Sequence, residues 1–184
     1  MFIGSGASVP TVLVDGMLGA YEKLRDVELV HIHTLGPTPW IDPRYSERLR
    51  TNTFFLTPDV GKAVIEGRAD YTPCSLSEVP HLFRSTVLPV DVALISVSPP
   101  DAEGLVSLGV SVDVVRAAIE SARVVVAQVN KFIPRTVGLS NIPVDDIDWY
   151  VEKDVRLPEF PRAEVDAVRA KIGAYLAELV EDGS

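Results

Sequence analysis

Short, almost wholly apolar runs alternate with stretches whose apolar residues recur at helical spacing. Residues 2–5 read as a strand entering a glycine turn. Pro10 then stands where a helix can begin, since its missing N–H is not needed there. Leu13, Met17, Ala20 and Leu24 continue at helical spacing, so a helix is expected over 10–24. The same reading gives strands over 27–33, 53–56 and 69–71 and helices over 58–66 and 77–84. Thr57-Pro58 supplies a start signal and Gly67 a stop for the helix over 58–66.

Residues 90–97 and 123–129 are mostly apolar and β-branched, the mark of strands buried on both faces. Between them, Ser111 is expected to cap a helix carrying Val115, Ala118, Ile119 and Ala122 on one face, with Asp113 in its first turn. An edge strand is expected over 147–151. A last helix, about 162–180, is defined by Val165, Val168, Ile172, Tyr175, Leu176 and Leu179. Strand–helix alternation around doubly buried strands predicts an α/β fold: an open, mostly parallel sheet with helices on both faces. The domain is expected over residues 1–156. Residues 157–184 form a linker, Leu157-Pro158-Glu159-Phe160-Pro161, and the terminal helix.

Composition narrows the function. The 184 residues carry a formal charge of −9, which disfavours a nucleic-acid partner and means that any site for an anionic ligand must be a local patch. No apolar run approaches the ~20 residues that a membrane span needs, and the amino terminus lacks the pattern of a signal peptide. Cys74 is the only cysteine, so no internal disulfide can form, and a reducing, cytoplasmic setting is expected.

Four places offer chemistry. Gly4-Ser5-Gly6 follows the first strand and leads to a helix start, where ligands of open α/β sheets bind. It also reads as an ordinary tight turn, and it is neither a dinucleotide fingerprint nor a phosphate loop, since a third glycine and a Gly-Lys-Ser/Thr are missing. His31 and His33 share a strand face, but two ligands without a third do not make a metal site. Asn130 and Arg135, with Lys131, cluster past the strand over 123–129 and read either as a carboxylate clamp or as a solvated loop. Asp101 and Glu103 are close carboxylates, but Pro-Pro-Asp with Gly104 favours turn chemistry. Cys74 has no activating histidine in its segment and reads as a buried, inert thiol. Asp145, Asp146 and Asp148 read as a solvated acidic face.

Taken in order, these loops resemble a known family. Phe2-Ile3-Gly4-Ser5-Gly6-Ala7, Thr34-Leu35-Gly36-Pro37, Glu66-Gly67-Arg68-Ala69-Asp70-Tyr71-Thr72-Pro73 and Leu76-Ser77-Glu78-Val79-Pro80 carry the likeness. So do the run from Asp91 to Asp101, Ser107-Leu108-Gly109-Val110-Ser111-Val112-Asp113, and Val129-Asn130 with Pro134-Arg135-Thr136. They resemble the amino-terminal domain of the acetyl-CoA hydrolase/transferase family, which includes 4-hydroxybutyrate CoA-transferase. Only the last helix is generic.

The resemblance implies a CoA-transferase-like domain that is half of an enzyme moving CoA between a short-chain acyl-CoA and a carboxylate acceptor, or water. Coenzyme A and acyl-CoA are substrates, and no covalently bound cofactor is expected. In the family a glutamate of a second domain attacks the thioester, and CoA thiolate leaves. No glutamate here matches it, so no catalytic residue is assigned and the isolated chain is expected to be inactive. Gly4, Ser5 and Gly6 are expected to meet the acyl or carboxylate end, with Asn130 and Arg135 assisting. No metal ligand is expected. The expected partner is the second domain, in the same chain or as a separate subunit, and homo-oligomerisation is a family-level expectation. Both ends of the chain read as cuts. The alternatives are a non-catalytic acyl- or carboxylate-binding module and one subunit of a split transferase.

Overall fold

The computed structural model describes residues 1–159 and 164–183. Seven parallel strands form the main sheet: β1 (Phe2–Ile3), β2 (Val27–His31), β3 (Leu49–Thr53), β4 (Ala69–Tyr71), β5 (Val92–Val97), β7 (Val124–Val129) and β9 (Trp149–Glu152), in the order β4-β3-β2-β1-β5-β7-β9. Two further strands, β6 (Leu105–Ser107) and β8 (Asn141–Pro143), pair antiparallel outside it.

Adjacent residues of a strand point to opposite faces, and β1 shows what each face buries. Ile3 faces helix α1 (Thr11–Gly19), packing with Val14, Met17, Leu29, Trp40 and Leu94. Phe2 faces α3 (Val79–Arg84) and α4 (Val115–Ser121), whose Val79, Phe83, Val115 and Ala118 are fully buried against Ala93 and Ile95. The Phe2 and Phe83 rings meet edge to face, centroids 5.6 Å apart. Helix α2 (Pro58–Ile65) packs beside β4. The sheet is therefore open and covered on both faces, as the doubly apolar strands required.

Strand order fixes where a ligand can enter. The chain runs from β1 outward to β4, then returns to lay β5 on the other side of β1. The crevice at the carboxyl ends of β1 and β5 is thus a topological switch point, where open α/β sheets bind ligands.

Several boundaries differ from expectation. The strand expected over 53–56 is β3, Leu49–Thr53, whose polar sequence hides a central strand. Buried Asn52 is tolerated there because its amide donates to Glu28 at 2.9 Å and accepts from Thr72 at 2.8 Å. Helix α1 ends at Gly19 rather than residue 24, and a short 3-10 turn, Tyr21–Lys23, follows. Ser111 does not cap α4. The Asp113 carboxylate accepts instead from the N–H groups of Val114 and Val115. The terminal helix is α5, Ala167–Ala177, and its apolar residues Val168, Ile172, Tyr175 and Leu176 are all exposed. Phe160 and Pro161 of the expected linker, and Arg162 and Ala163 at the expected helix start, lie outside the described residues. No described helix is long and apolar enough to cross a membrane.

Candidate functional site

Gly4-Ser5-Gly6 lies at the switch point because β1 is only two residues long and gives way at once to this loop. Its backbone is tied to both neighbours. Gly4 N–H donates to Leu94 O at 2.8 Å, and Gly6 N–H donates to His33 O at 2.5 Å. Leu35 N–H donates back to Gly6 O at 3.1 Å. Gly6 has φ +66°, a left-handed conformation that glycine adopts without strain.

The helix start behind the loop is occupied as well. Thr11 N–H donates to Val9 O, and Val12 N–H donates to the Gln128 side chain at 3.1 Å. Two of the N–H groups at the helix terminus are therefore already taken from within the protein.

What remains at the loop are hydroxyls. Ser5, Ser8 and Ser111 are 1%, 3% and 5% exposed, and among the described residues none of their side-chain oxygens has a hydrogen-bond partner. Ser5 and Ser8 flank the turn, and Ser111 Oγ stands beside Gly6. Buried polar groups are normally paired, and one left bare costs about 1–3 kcal/mol. The three oxygens are gathered around one loop at the switch point, and all three are closed off from solvent in this structure. Ser5 was legible from its motif. Ser8 and Ser111 were missed, because nothing in their local sequence announces a contact made only in the fold.

Beside the loop opens a cleft of about 470 Å³, lined by Gly6, Ile32, His33, Phe54, Phe55, Cys74, Leu76, Val79 and Asp113. The volume falls within the range of small-ligand sites, ~300–1,000 Å³. The lining is mostly apolar. Burial pushes the Asp113 carboxyl above its ordinary value, against the lowering effect of its two backbone donors. Cys74 is half-buried at the cleft wall rather than sealed in the core. Desolvation, then the Glu78 carboxylate, pushes its thiol up, away from the reactive thiolate.

The two histidines part company. His31 is fully buried, its ring edge-to-face on Trp40 at 5.4 Å, and burial brings its pKa down to about 4. His33 lies past the end of β2, at the cleft, with its ring perpendicular to Phe55 at 4.9 Å. Among the described residues no three His, Cys, Asp or Glu side chains come together where they could hold a metal ion.

Asn130 and Arg135 also sit at the carboxyl edge of the sheet, but their hydrogen bonds are turned inward. The Asn130 amide donates to Val155 O at 2.7 Å and accepts from Phe132 N–H and Val155 N–H, fastening the segment after β9 to the end of β7. Arg135 donates to Asp101 at 2.9 Å, Pro99 O at 3.0 Å and Leu105 O at 2.9 Å. The guanidinium therefore already holds a carboxylate of this chain. Asp101 also accepts from Glu103 N–H and Leu105 N–H, so the Asp101–Glu103 pair is turn chemistry.

Comparison with known proteins gives a consistent picture. The profile of a family described as "Acetyl-CoA hydrolase/transferase N-terminal domain" matches residues 1–162. The 4-hydroxybutyrate coenzyme A transferase of Clostridium kluyveri is 42% identical over 175 residues, 95% of this chain and 41% of that protein. The succinyl-CoA:acetate/propanoyl-CoA:succinate CoA transferase of Fasciola hepatica is 42% identical over 190 residues, covering 100% of this chain and 39% of its own length. Among solved structures, 4-hydroxybutyrate CoA-transferase from Porphyromonas gingivalis aligns with a TM-score of 0.73 at 31% identity, covering 100% of this chain and 42% of that one. RipA from Yersinia pestis aligns with a TM-score of 0.88 at 25% identity, covering 100% and 45%. The chain thus spans about two fifths of the length of the curated relatives it matches.

Proposed function

The chain belongs to the acetyl-CoA hydrolase/transferase family, and from that premise we propose that it is the substrate-cradling half of a CoA-transferase or acyl-CoA hydrolase. The complete enzyme moves CoA between a short-chain acyl-CoA and a carboxylate acceptor, or water. Residues 1–156 are the working domain. Residues 157–184 lead to a second CoA-transferase domain, carried by the same chain or by a separate subunit.

That second domain supplies the nucleophilic glutamate. The carboxylate attacks the thioester carbonyl and CoA thiolate leaves, giving an acyl-glutamyl anhydride. In a transferase the thiolate attacks the glutamyl carbonyl, expelling the donor carboxylate and leaving a glutamyl-CoA thioester. The acceptor carboxylate displaces the thiolate to form a second anhydride, and the thiolate then attacks its acyl carbonyl, giving the new acyl-CoA and the free glutamate. Water resolves the intermediate in a hydrolase. Each step places negative charge on an oxygen, and fixed hydrogen-bond donors around that oxygen lower the barrier.

The observation that carries this reading is the group of bare, buried hydroxyls of Ser5, Ser8 and Ser111 around Gly6 at the switch point. The hydroxyls of Ser5 and Ser111, closed off from solvent in this structure, donate to the acyl or carboxylate oxygens once the loop after β1 shifts to admit the substrate. Gly4 and Gly6 let the loop pack closely against β5 and Ser111, and their N–H groups hold Ser5 between Leu94 and His33. Asn130 and Arg135 act one step removed, by fixing the loops that border the same sheet edge. The lone half-buried thiol suits a cytoplasmic enzyme.

The test is an amide NMR titration of the chain with acetyl-CoA and with acetate. Shifts centred on Ser5, Gly6 and Ser111, abolished by Ser5→Ala, are expected, with no CoA transfer to acetate by the chain alone. An unperturbed loop contradicts the reading.

A further inference from the structure

The cleft beside Gly6 is lined by none of the three serines, and its walls are of a different kind. Phe55 and Leu76 are 51% and 57% exposed, yet both face it, and Ile32, Phe54 and Val79 back it with buried apolar surface. Exposed aromatic and leucine side chains gathered along one concave wall gain by covering an apolar ligand. Among the described residues no lysine or arginine lines the cleft. Its basic group is His33, whose ring is engaged with Phe55, and its acidic group is Asp113.

We propose that this cleft binds the uncharged hydrocarbon tail of a monocarboxylic acyl group, so that Phe55 and Leu76 set which acyl groups the enzyme accepts. The inference rests on the reading that Ser5 and Ser111 receive the acyl oxygens, because that reading fixes which end of the substrate points toward Gly6. With the oxygens at the hydroxyls, the carbon chain has the apolar walls within reach, since Gly6 lines both. A tail ending in a second carboxylate would lose its hydration in the cleft, gain no cationic partner, and share the space with Asp113. Longer apolar tails therefore bind better than acetate, and dicarboxylic acids of equal length bind worse.

The test uses the 184-residue chain at pH 7.5 and the sodium salts of acetate, butyrate and succinate, with dissociation constants read from NMR shifts. Each buried methylene strengthens binding by roughly fourfold, so butyrate is expected to bind about tenfold or more tightly than acetate, with shifts in the Phe54, Phe55 and Leu76 side chains. Succinate, equal to butyrate in length, is expected to bind no better than acetate. Leu76→Trp fills the cleft from an exposed position that folding does not need. It should erase the preference for butyrate, bringing the butyrate-to-acetate ratio of dissociation constants to about one. Succinate binding as tightly as butyrate, or a preference unchanged in Leu76→Trp, overturns the inference while leaving the hydroxyl site standing. Loss of all three acids in Ser5→Ala keeps the two claims separable: the head site then holds, and the cleft is judged on the butyrate-to-acetate ratio alone. Failure of every acid to shift the Ser5 and Gly6 amides overturns both.

Discussion

The hydroxyl oxygen of Ser111 stands against the open side of Gly6, 2.8 Å from where a β-carbon at position 6 would lie. With φ at +66°, position 6 is restricted to glycine twice over, by backbone conformation and by the neighbour. The contact joins the loop after β1 to the segment before α4. It sets the spacing of the hydroxyls that we assign to substrate oxygens.

Gly6→Ala should therefore destabilise the chain by about 1–2 kcal/mol from the left-handed backbone alone, with more from the displaced Ser111. Urea unfolding measures it. The double variant Gly6→Ala/Ser111→Gly should recover the steric part and leave the conformational part.

Ser5→Ala is expected to separate stability from binding. Its hydroxyl is buried with no partner in the chain, so removing it should leave the unliganded fold as stable or about 1 kcal/mol more so. The same variant should lose acetate and acetyl-CoA binding. A clear loss of stability would mean that the hydroxyl serves the fold and not a ligand.

Arg135→Ala should behave in the opposite way. Its guanidinium bonds Asp101, Pro99 O and Leu105 O, so its loss should lower stability by about 1–2 kcal/mol. Lysine should not rescue it, because a point charge cannot reach three acceptors at once. Undiminished stability with lost acetate binding would restore the direct carboxylate clamp expected from the sequence.

Burial of His31 has a pH signature. Its folded pKa is about 4, against an ordinary value of 6.5, because burial disfavours the charged ring. Above pH 6.5 both folded and unfolded states are neutral there, and the group contributes nothing. As pH falls from 6.5 toward 4, the unfolded chain binds a proton that the folded chain refuses, so stability drops, by about 3 kcal/mol in full. Urea unfolding at pH 7.5 and pH 4.5 should show a smaller acid loss in His31→Phe than in the parent chain.

Much of the fold was legible because β5 and β7 are mostly apolar and rich in β-branched residues, which suits a strand covered on both faces. β3 was not, because Asn52 and Thr53 are buried through hydrogen bonds to distant partners, Glu28 and Thr72 for one and Ile32 O for the other, that composition does not reveal. The site divides in the same way. Gly4-Ser5-Gly6 could be read from a strand, a turn and a helix start in succession. Ser8 and Ser111 could not: nothing in the local sequence announces that Ser8 is buried, and Ser111 reaches Gly6 only because the segment before α4 packs beside the loop after β1. For Asn130 and Arg135 the residue types suggested anion binding, but a guanidinium is equally suited to an internal carboxylate, and only the fold shows Asp101 beside it. The histidines were expected on one strand face. β2 stops between them, leaving one in the core and one at the cleft.

The most direct test of the account is CoA transfer after reconstitution. The purified chain would be mixed with the carboxyl-terminal portion of the Clostridium kluyveri 4-hydroxybutyrate CoA-transferase, expressed separately, and transfer from acetyl-CoA to butyrate followed by release of acetate. The account predicts no turnover from either piece alone, turnover from the mixture, and its loss when the chain carries Ser5→Ala. Turnover by the chain alone, or a mixture indifferent to Ser5→Ala, would contradict it.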